Sequence, residues 1–402
     1  MKKLFILGLM SLMLFSSCEK DPIDQPTDTV LVGTLTENKT LTSDKEWTLR
    51  GYVYVPEGIT LTIEPGTVIK SDIAEKGALC IEMGGKIMAE GTASQPIVFT
   101  SGQSSPQPGD WGGILILGKA VINQGTATIE GGVGRQYGGN DDNDNSGVFK
   151  YVRIEYAGVA AFPNSEINGL TLAGVGRGTT IEYVQTYYAN DDAFEFFGGT
   201  VNPKYLVAVG TADDDYDFDF GYTGTVQYAI SKRDPQFVDG ADAGNGIECD
   251  NDGSGSTLTP TTHPVLLNFT LVGPNDVNAL SNHNLAMRWR RGTNFTVRNS
   301  VFYGYMKGCF SIESDITAYY YGNNYVNFTG NLLHSYDTTK IVVSKALTSL
   351  TTEDMTARVL LGANTLYTNS TSPITNDFET INGNIGAIPQ GTTNWTLGWT
   401  RF

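Results

Sequence analysis

The chain is poor in the residues from which common catalytic and metal motifs are built. Of its 402 residues, 3 are histidine and 4 are cysteine. His263, His283 and His334 stand apart, with no His-Glu-x-x-His pair, no Cys-x-x-Cys and no Gly-x-Ser-x-Gly elbow. Zinc-peptidase and serine-hydrolase chemistries are set aside on that ground. Basic residues are also scarce: Lys and Arg total 26 against 43 Asp and Glu, a formal charge of −17. A nucleic acid or an anionic lipid surface would need a basic footprint, so neither is expected as a partner. After the first residues, no apolar run reaches the ~18 residues of a membrane-spanning helix. Gly174-x-Gly176-x-Gly178 is a turn between strands with no helix after it, so it does not cradle phosphate.

Glycine is abundant at 47, hydrophobic residues make up 40% and charged residues 17%. That balance predicts a turn-rich β protein with a packed core. At the start, Lys2 and Lys3 precede an apolar run from Leu4 to Phe15, followed by Ser16, Ser17 and Cys18. This reads as a secretory signal over residues 1–17. Phe15-Ser16-Ser17-Cys18 resembles a bacterial lipobox, which implies lipidation of Cys18. Residues 18–30 read as a flexible tether, and their acidic, proline-containing start is similar to the surface-export signal of Bacteroidetes lipoproteins. The expected location is the outer membrane, contacted only through the lipid anchor, with the body facing outward. Cys80, Cys249 and Cys309 are an odd set in apolar alternating stretches and read as buried thiols.

Period-two patterning runs from about Tyr52 to His334. Phe149 to Gly158 parallels Thr180 to Ala189, and further copies begin near Lys204, Thr225, Leu266, Phe295 and Val326. A second series interleaves with it: Phe194-Glu195-Phe196, Tyr216 to Phe220, Ile247 to Asp250, Met287 to Arg290, and Phe310 to Glu313. Several strand lanes per repeat with no helix between them predict a right-handed parallel β-helix, an all-β solenoid. The solenoid is expected over residues 31–335. A C-terminal cap with a short helix is expected over 336–402, with Thr351 or Thr352 capping it, Glu353 and Asp354 in its first turn and Gly362 as its stop. Asn268, Asn299 and Asn331 recur in matching positions and predict a structural ladder.

Leu61 to Ile69 looks like the opening coil of β-helix proteins of the pectate-lyase-like class, and Pro108 to Ile114 is similar to a stretch common in bacterial surface proteins of that kind. Over roughly residues 30–402 the chain resembles Bacteroidetes β-helix lipoproteins of largely unassigned function.

Strand alternation predicts a charged lane. With Phe194, Phe196, Phe218, Phe220, Ile247, Cys249, Met287, Trp289, Phe310 and Ile312 inward, the residues between them point outward. These are Glu195, Asp217, Asp219, Glu248, Asp250, Arg288, Arg290, Ser311 and Glu313. Carboxylates stacked on coils ~4.8 Å apart must protonate, pair with arginine or bind a cation. Ca2+ suits such oxygens, with Asp217, Asp219 and Asp250 as ligands. The resemblance implies a lyase reading, in which Ca2+ holds an acidic sugar and Arg288 or Arg290 acts as base. It also offers a hydrolase reading on aspartates of adjacent coils, among them Asp217 and Asp219, with Asn190-Asp191-Asp192 and Asp213-Asp214-Asp215 at the strand entrances. Trp111, Tyr187, Tyr188, Tyr222 and Trp289 are aromatic candidates for stacking on sugars. The loop 139–147 carries Asp141, Asp142 and Asp144 in the manner of an EF-hand start, without its distal Glu or flanking helices, and is a second Ca2+ candidate. The loops around Asp239 to Asp242 and Asp250 to Gly253 read as solvated.

The leading expectation is a surface protein binding an extracellular ligand, a glycan, along the charged lane. The alternatives are a Ca2+-assisted polysaccharide lyase or glycoside hydrolase on the same face, and an accessory lipoprotein of an outer-membrane uptake receptor.

Overall fold

The computed structural model describes residues 28–402 apart from 163–164, 345–346, 370 and 382. The signal sequence, the Cys18 anchor and most of the tether lie outside the described residues.

Short strands rich in Val, Ile, Leu and Thr wind into a parallel β-helix with three faces. Thr60–Ile63 and Val68–Ser71 show the pattern, with every second residue buried. The first face stacks Lys39–Leu41, Thr60–Ile63 and Lys86–Glu90, then continues through the opening halves of Gly147–Glu155, Thr180–Tyr187, Thr225–Lys232 and Val265–Val272. The second face uses the closing halves of those same strands. The third face stacks Ala78–Ile81, Gly113–Leu117, Leu170–Ala173, Phe194–Phe197, Tyr216–Asp219, Ile247–Cys249, Leu285–Trp289, Gly308–Ile312 and Val342–Ser344. The interior is packed with stacked aromatic side chains. Phe194 stacks on Tyr216 at 5.4 Å, Phe196 on Phe218 at 4.8 Å and Trp289 on Phe295 at 4.0 Å between ring centres.

The chain turns from the first face to the second on one residue with positive φ. Tyr151, Tyr183, Tyr205, Tyr228, Asn268 and Asn299 occupy this corner with φ of 49, 55, 61, 60, 59 and 54°. A side chain in this region costs ~1–2 kcal/mol. Asparagine tolerates it through its short polar side chain. The tyrosines offset it by stacking, with ring centres 4.3, 4.3 and 5.1 Å apart down the column. Asn268 and Asn299 share this corner as expected, but Asn331 does not. Gly330, with φ of 70°, takes the turn. Asn331 falls one position later, where its side chain accepts from the Ser300 N–H at 3.0 Å and donates to Asn364 at 2.9 Å. The ladder is therefore Asn331 over Asn364.

The solenoid extends beyond residue 335. Val342–Ser344 adds a rung to the third face and Thr365–Leu366 one to the second. A helix not expected from sequence, α1 (Asp315–Gly322), follows the Gly308–Ile312 strand with Ser314 as its N-cap. The expected helix, α2 (Thr352–Leu361), has a capping box between Thr351 and Asp354 and Gly362 at its end. It buries Met355 and Val359 against the open end of the core. The remaining residues form a strap that runs back along the outside of the second face. Ile374, Phe378, Ala387, Ile388 and Trp399 pack there on Val207, Ile230 and Val301. Arg401 reaches Glu155 at 2.9 Å, and the Gln185 amide pairs with the Arg401 backbone. Outward Val207, Ile230 and Val301 need covering, and the strap covers them.

Candidate ligand and cation site on the third face

The register of the third face places one outward column in order: Tyr54, Cys80, Leu115, Thr171, Glu195, Asp217, Glu248, Arg288, Ser311 and Val343. Five members of the expected lane, Glu195, Asp217, Glu248, Arg288 and Ser311, form one straight column, Asp219, Asp250, Arg290 and Glu313 follow two residues later in the chain, and the inward set is buried with one exception. Phe220, with φ of 49°, turns outward and packs on Phe197 at 5.5 Å.

The column changes chemistry along its length. Its early rungs are apolar and covered by the excursion 118–146, whose Ile122, Ile129, Val133 and Tyr137 close over Cys80, Leu115 and Leu117. Its late rungs are an ion-pair network. Arg288 donates to Glu248 at 2.7 Å and to Glu313 at 2.9 and 3.1 Å. Arg290 forms a bidentate pair with Asp250 at 2.6 and 3.0 Å and also contacts Glu248. Arg291 reaches Asp250 at 2.7 Å. Burial works against the guanidinium charges, and the carboxylates outweigh it, so Arg288 and Arg290 are both held above the ordinary arginine value. This corrects the base role considered for them: neither can give up a proton in this setting.

In the middle rungs, Asp192, Glu195, Asp213 and Asp217 form no ion pair among the described residues, in contrast to Glu248 and Asp250. Asp191, Asp192 and Asp213 each bring an oxygen within 4.8 Å of the others, and so do Asp192, Glu195 and Asp217. Asp192 belongs to both groups. Glu195 and Asp217 come from adjacent strands; Asp191, Asp192 and Asp213 come from the turns that feed those strands. Burial, then neighbouring Asp191, Asp213 and Asp217, pushes the Asp192 carboxyl well above its usual range. Burial and Glu130, Asp217 and Asp191 do the same to Glu195, and burial with Glu248 and Asp214 to Asp217. Asp213 is raised to about 10, and Asp219 and Glu248 to about 8, in each case by burial first. One Asp217 oxygen is buried with no hydrogen-bond partner. Asp191, Asp213 and Asp217 keep an edge at the surface, so the cluster is reachable from solvent.

Residues that sequence reasoning missed hold this cluster in place. Asn168 donates its side-chain amide to Glu195. Arg233, fully buried, pairs with Asp215 at 3.1 Å and donates to the carbonyls of Thr211, Ala212 and Asp213 at 2.9, 3.2 and 2.8 Å. It thereby fixes the turn that carries Asp213. Asn245 donates its backbone and side-chain N–H to Asp214 at 2.6 and 2.8 Å, and the Asp214 N–H donates to Asp192 at 2.8 Å. Arg233 sits in Ser231-Lys232-Arg233-Asp234, which looks like a solvated turn; only the neighbouring coils make it a buried tie.

Other expected sites are placed differently. Asp219 accepts from the Phe220 N–H and Asp250 is taken by two arginines, so the converging set is Asp192, Glu195 and Asp217 rather than Asp217, Asp219 and Asp250. In the 139–147 loop, Asp142 accepts from the Val121 N–H at 3.2 Å and Asp144 from the Lys119 N–H at 3.1 Å. Asp141 accepts from the Asn143 N–H at 3.0 Å. Asp141, Asp142 and Asp144 anchor the loop and do not form a converging oxygen set among the described residues. Trp111, Tyr222 and Trp289 are buried core side chains, which removes them as sugar-stacking surfaces; Tyr187 and Tyr188 remain half-buried on another face. Cys80, Cys249 and Cys309 are free and buried, and burial raises each thiol, Cys80 to about 12.

No curated protein and no solved structure is significantly similar to the chain. A family model described as a pectate-lyase like beta helix domain matches residues 33–400, and the chain belongs to that family.

Proposed function

We propose that this protein is a surface lipoprotein, anchored through Cys18 at the outer membrane, that binds an extracellular polysaccharide through a divalent cation held on the third face. The observation that carries the reading is the convergence of carboxylate oxygens in two triads that share Asp192: Asp191, Asp192 and Asp213, and Asp192, Glu195 and Asp217. Two oxygens on one Ca2+ can lie no further apart than twice the ~2.3–2.6 Å coordination distance, and the oxygens within each triad come within 4.8 Å of one another. A cation there would replace the protons that burial and repulsion otherwise force onto these carboxyls. Its outer positions would take ligand oxygens from carboxylate or hydroxyl groups of a sugar.

Binding is favoured over cleavage by what surrounds the cluster. A lyase needs a base beside the cation, and both nearby arginines are locked as cations by carboxylates. An inverting hydrolase needs carboxyls ~6.5–9.5 Å apart, wider than the oxygens within either triad. The test is calorimetric titration of Ca2+ into protein stripped by chelator, followed by retention and product-size assays on acidic polysaccharides. Ca2+ binding with retention and intact chains supports the reading. Ca2+-dependent shortening identifies an enzyme instead. Co-purification with an outer-membrane channel, unaffected by Glu195→Gln, identifies an accessory subunit.

A further inference from the structure

Two clefts lie on one register column of the second face, away from the carboxylate cluster. The column runs Tyr187, Val209, Lys232, Val272, Tyr303, each paired with the next. The first cleft, about 260 Å3, is bounded by Tyr187, Tyr188, Lys232, Asp234 and Phe402. The second, about 220 Å3, is bounded by Asn275, Tyr303, His334, Tyr336 and Asn369. Four rungs separate Tyr187 from Tyr303, so the clefts are ~19 Å apart along the axis.

Each cleft combines exposed aromatic surface with hydrogen-bonding groups. Phe402 is 48% exposed and Tyr336 42%. In the first cleft Asp234 accepts from the Tyr188 hydroxyl at 2.6 Å. In the second, Asn275 donates to the Tyr303 hydroxyl at 3.4 Å, and Tyr303 stacks on His334 at 4.5 Å. Lys232 lies midway in the column, is exposed, and makes no ion pair with the described residues. Apolar ring faces beside amide, carboxylate and ammonium groups match a pyranose, which has apolar faces and a polar rim. A chain with charge −17 repels polyanions, and the cations near the first cleft do not reverse that, because Arg233 is paired with Asp215 and Arg401 with Glu155, which leaves Lys232. The ligand that fits is therefore uncharged.

We infer that this edge binds a neutral, unbranched polysaccharide lying parallel to the solenoid axis, with a sugar in each cleft and Lys232 donating to hydroxyls between them. The site shares a ligand class with the proposed function but does not depend on it, because no member of the carboxylate cluster lines either cleft.

The test is titration of hexasaccharides from xylan, cellulose and mannan into the protein in excess chelator, which silences the third face. At least one should bind. Phe402→Ala and Tyr336→Ala, both at exposed positions, should each weaken it by about tenfold, equal to ~1.4 kcal/mol. Disaccharides, which reach only one cleft, should be much weaker and should lose the advantage of the second. The inference is overturned if none of the three hexasaccharides binds, if chelator abolishes binding, or if both aromatic variants bind as tightly as the parent. Circular dichroism of each variant separates lost binding from lost fold.

Discussion

On the third face, Glu195 and Asp217 stand directly below Glu248 and Arg288 in a single column. The two halves handle the same problem differently. In the upper half, Arg288, Arg290 and Arg291 meet Glu248, Asp250 and Glu313 in short, mostly buried pairs. In the lower half, Asp192, Glu195, Asp213 and Asp217 crowd together and are held by amides and a distant guanidinium, with no ion pair among the described residues. Stacked charge is therefore not a site in itself. The compensated half is structural, and the uncompensated half has an unmet electrostatic demand that a bound cation would answer.

The comparison breaks most clearly through opposite signs on mutation. Arg290→Ala leaves Asp250 and Glu248 buried with less compensation and should cost ~3–5 kcal/mol in urea denaturation. A loss under ~1 kcal/mol would show that the upper network is not structural. In the lower half, saturating Ca2+ at a hundredfold over Kd should add ~2.7 kcal/mol to unfolding free energy. No thermal shift with Ca2+ would remove the cation reading.

The pH dependence follows from the raised carboxyls. Between the ordinary carboxylate range and the folded values of about 8 for Asp219 and about 10 for Asp213, the folded chain binds more protons than the unfolded one. Stability in chelator should therefore fall as pH rises from about 5 to 9, and Ca2+ should oppose the fall most strongly at high pH. A flat or rising melting temperature over that range would contradict the arrangement. Glu195→Gln and Asp217→Asn should each stabilise the chelated protein, on the order of 1 kcal/mol, roughly one pKa unit of repulsion removed. Both should also abolish the Ca2+ shift, read by calorimetry. The smallest effect belongs to Arg291→Ala. Its side chain is 44% exposed, and the loss should stay within ~0.2–1 kcal/mol and shrink further in high salt.

Much of this was legible in the chain. The alternation around Glu195, Asp217, Glu248, Arg288 and Ser311 placed them on one outward lane because a strand's side-chain period is two, whatever the loops between strands do. The same rule failed at Phe220, where a left-handed residue ends the strand and reverses the side chain. Asn331 misled for a different reason: the register is unbroken through this corner, so Gly330 is the equivalent of Asn299 and Asn331 is the residue after it. The end of the solenoid was set too early because the Val342–Ser344 and Thr365–Leu366 rungs are short and lie among cap-like sequence.

Residue order by itself determined the parallel β-helix, its inward aromatic stack and the membership of the charged lane, since all three follow from local periodicity repeated along the chain. Only the tertiary structure decided which of those charges are paired. Coils of unequal length bring Arg288 and Arg290 onto Glu248 and Asp250, and turn residues Asp191, Asp192 and Asp213 onto Glu195 and Asp217. It also decided that Arg233 is a buried tie and that the strap borders a groove on the opposite flank. Electrostatic compensation and cavity shape depend on distances between coils, and no local pattern encodes those distances.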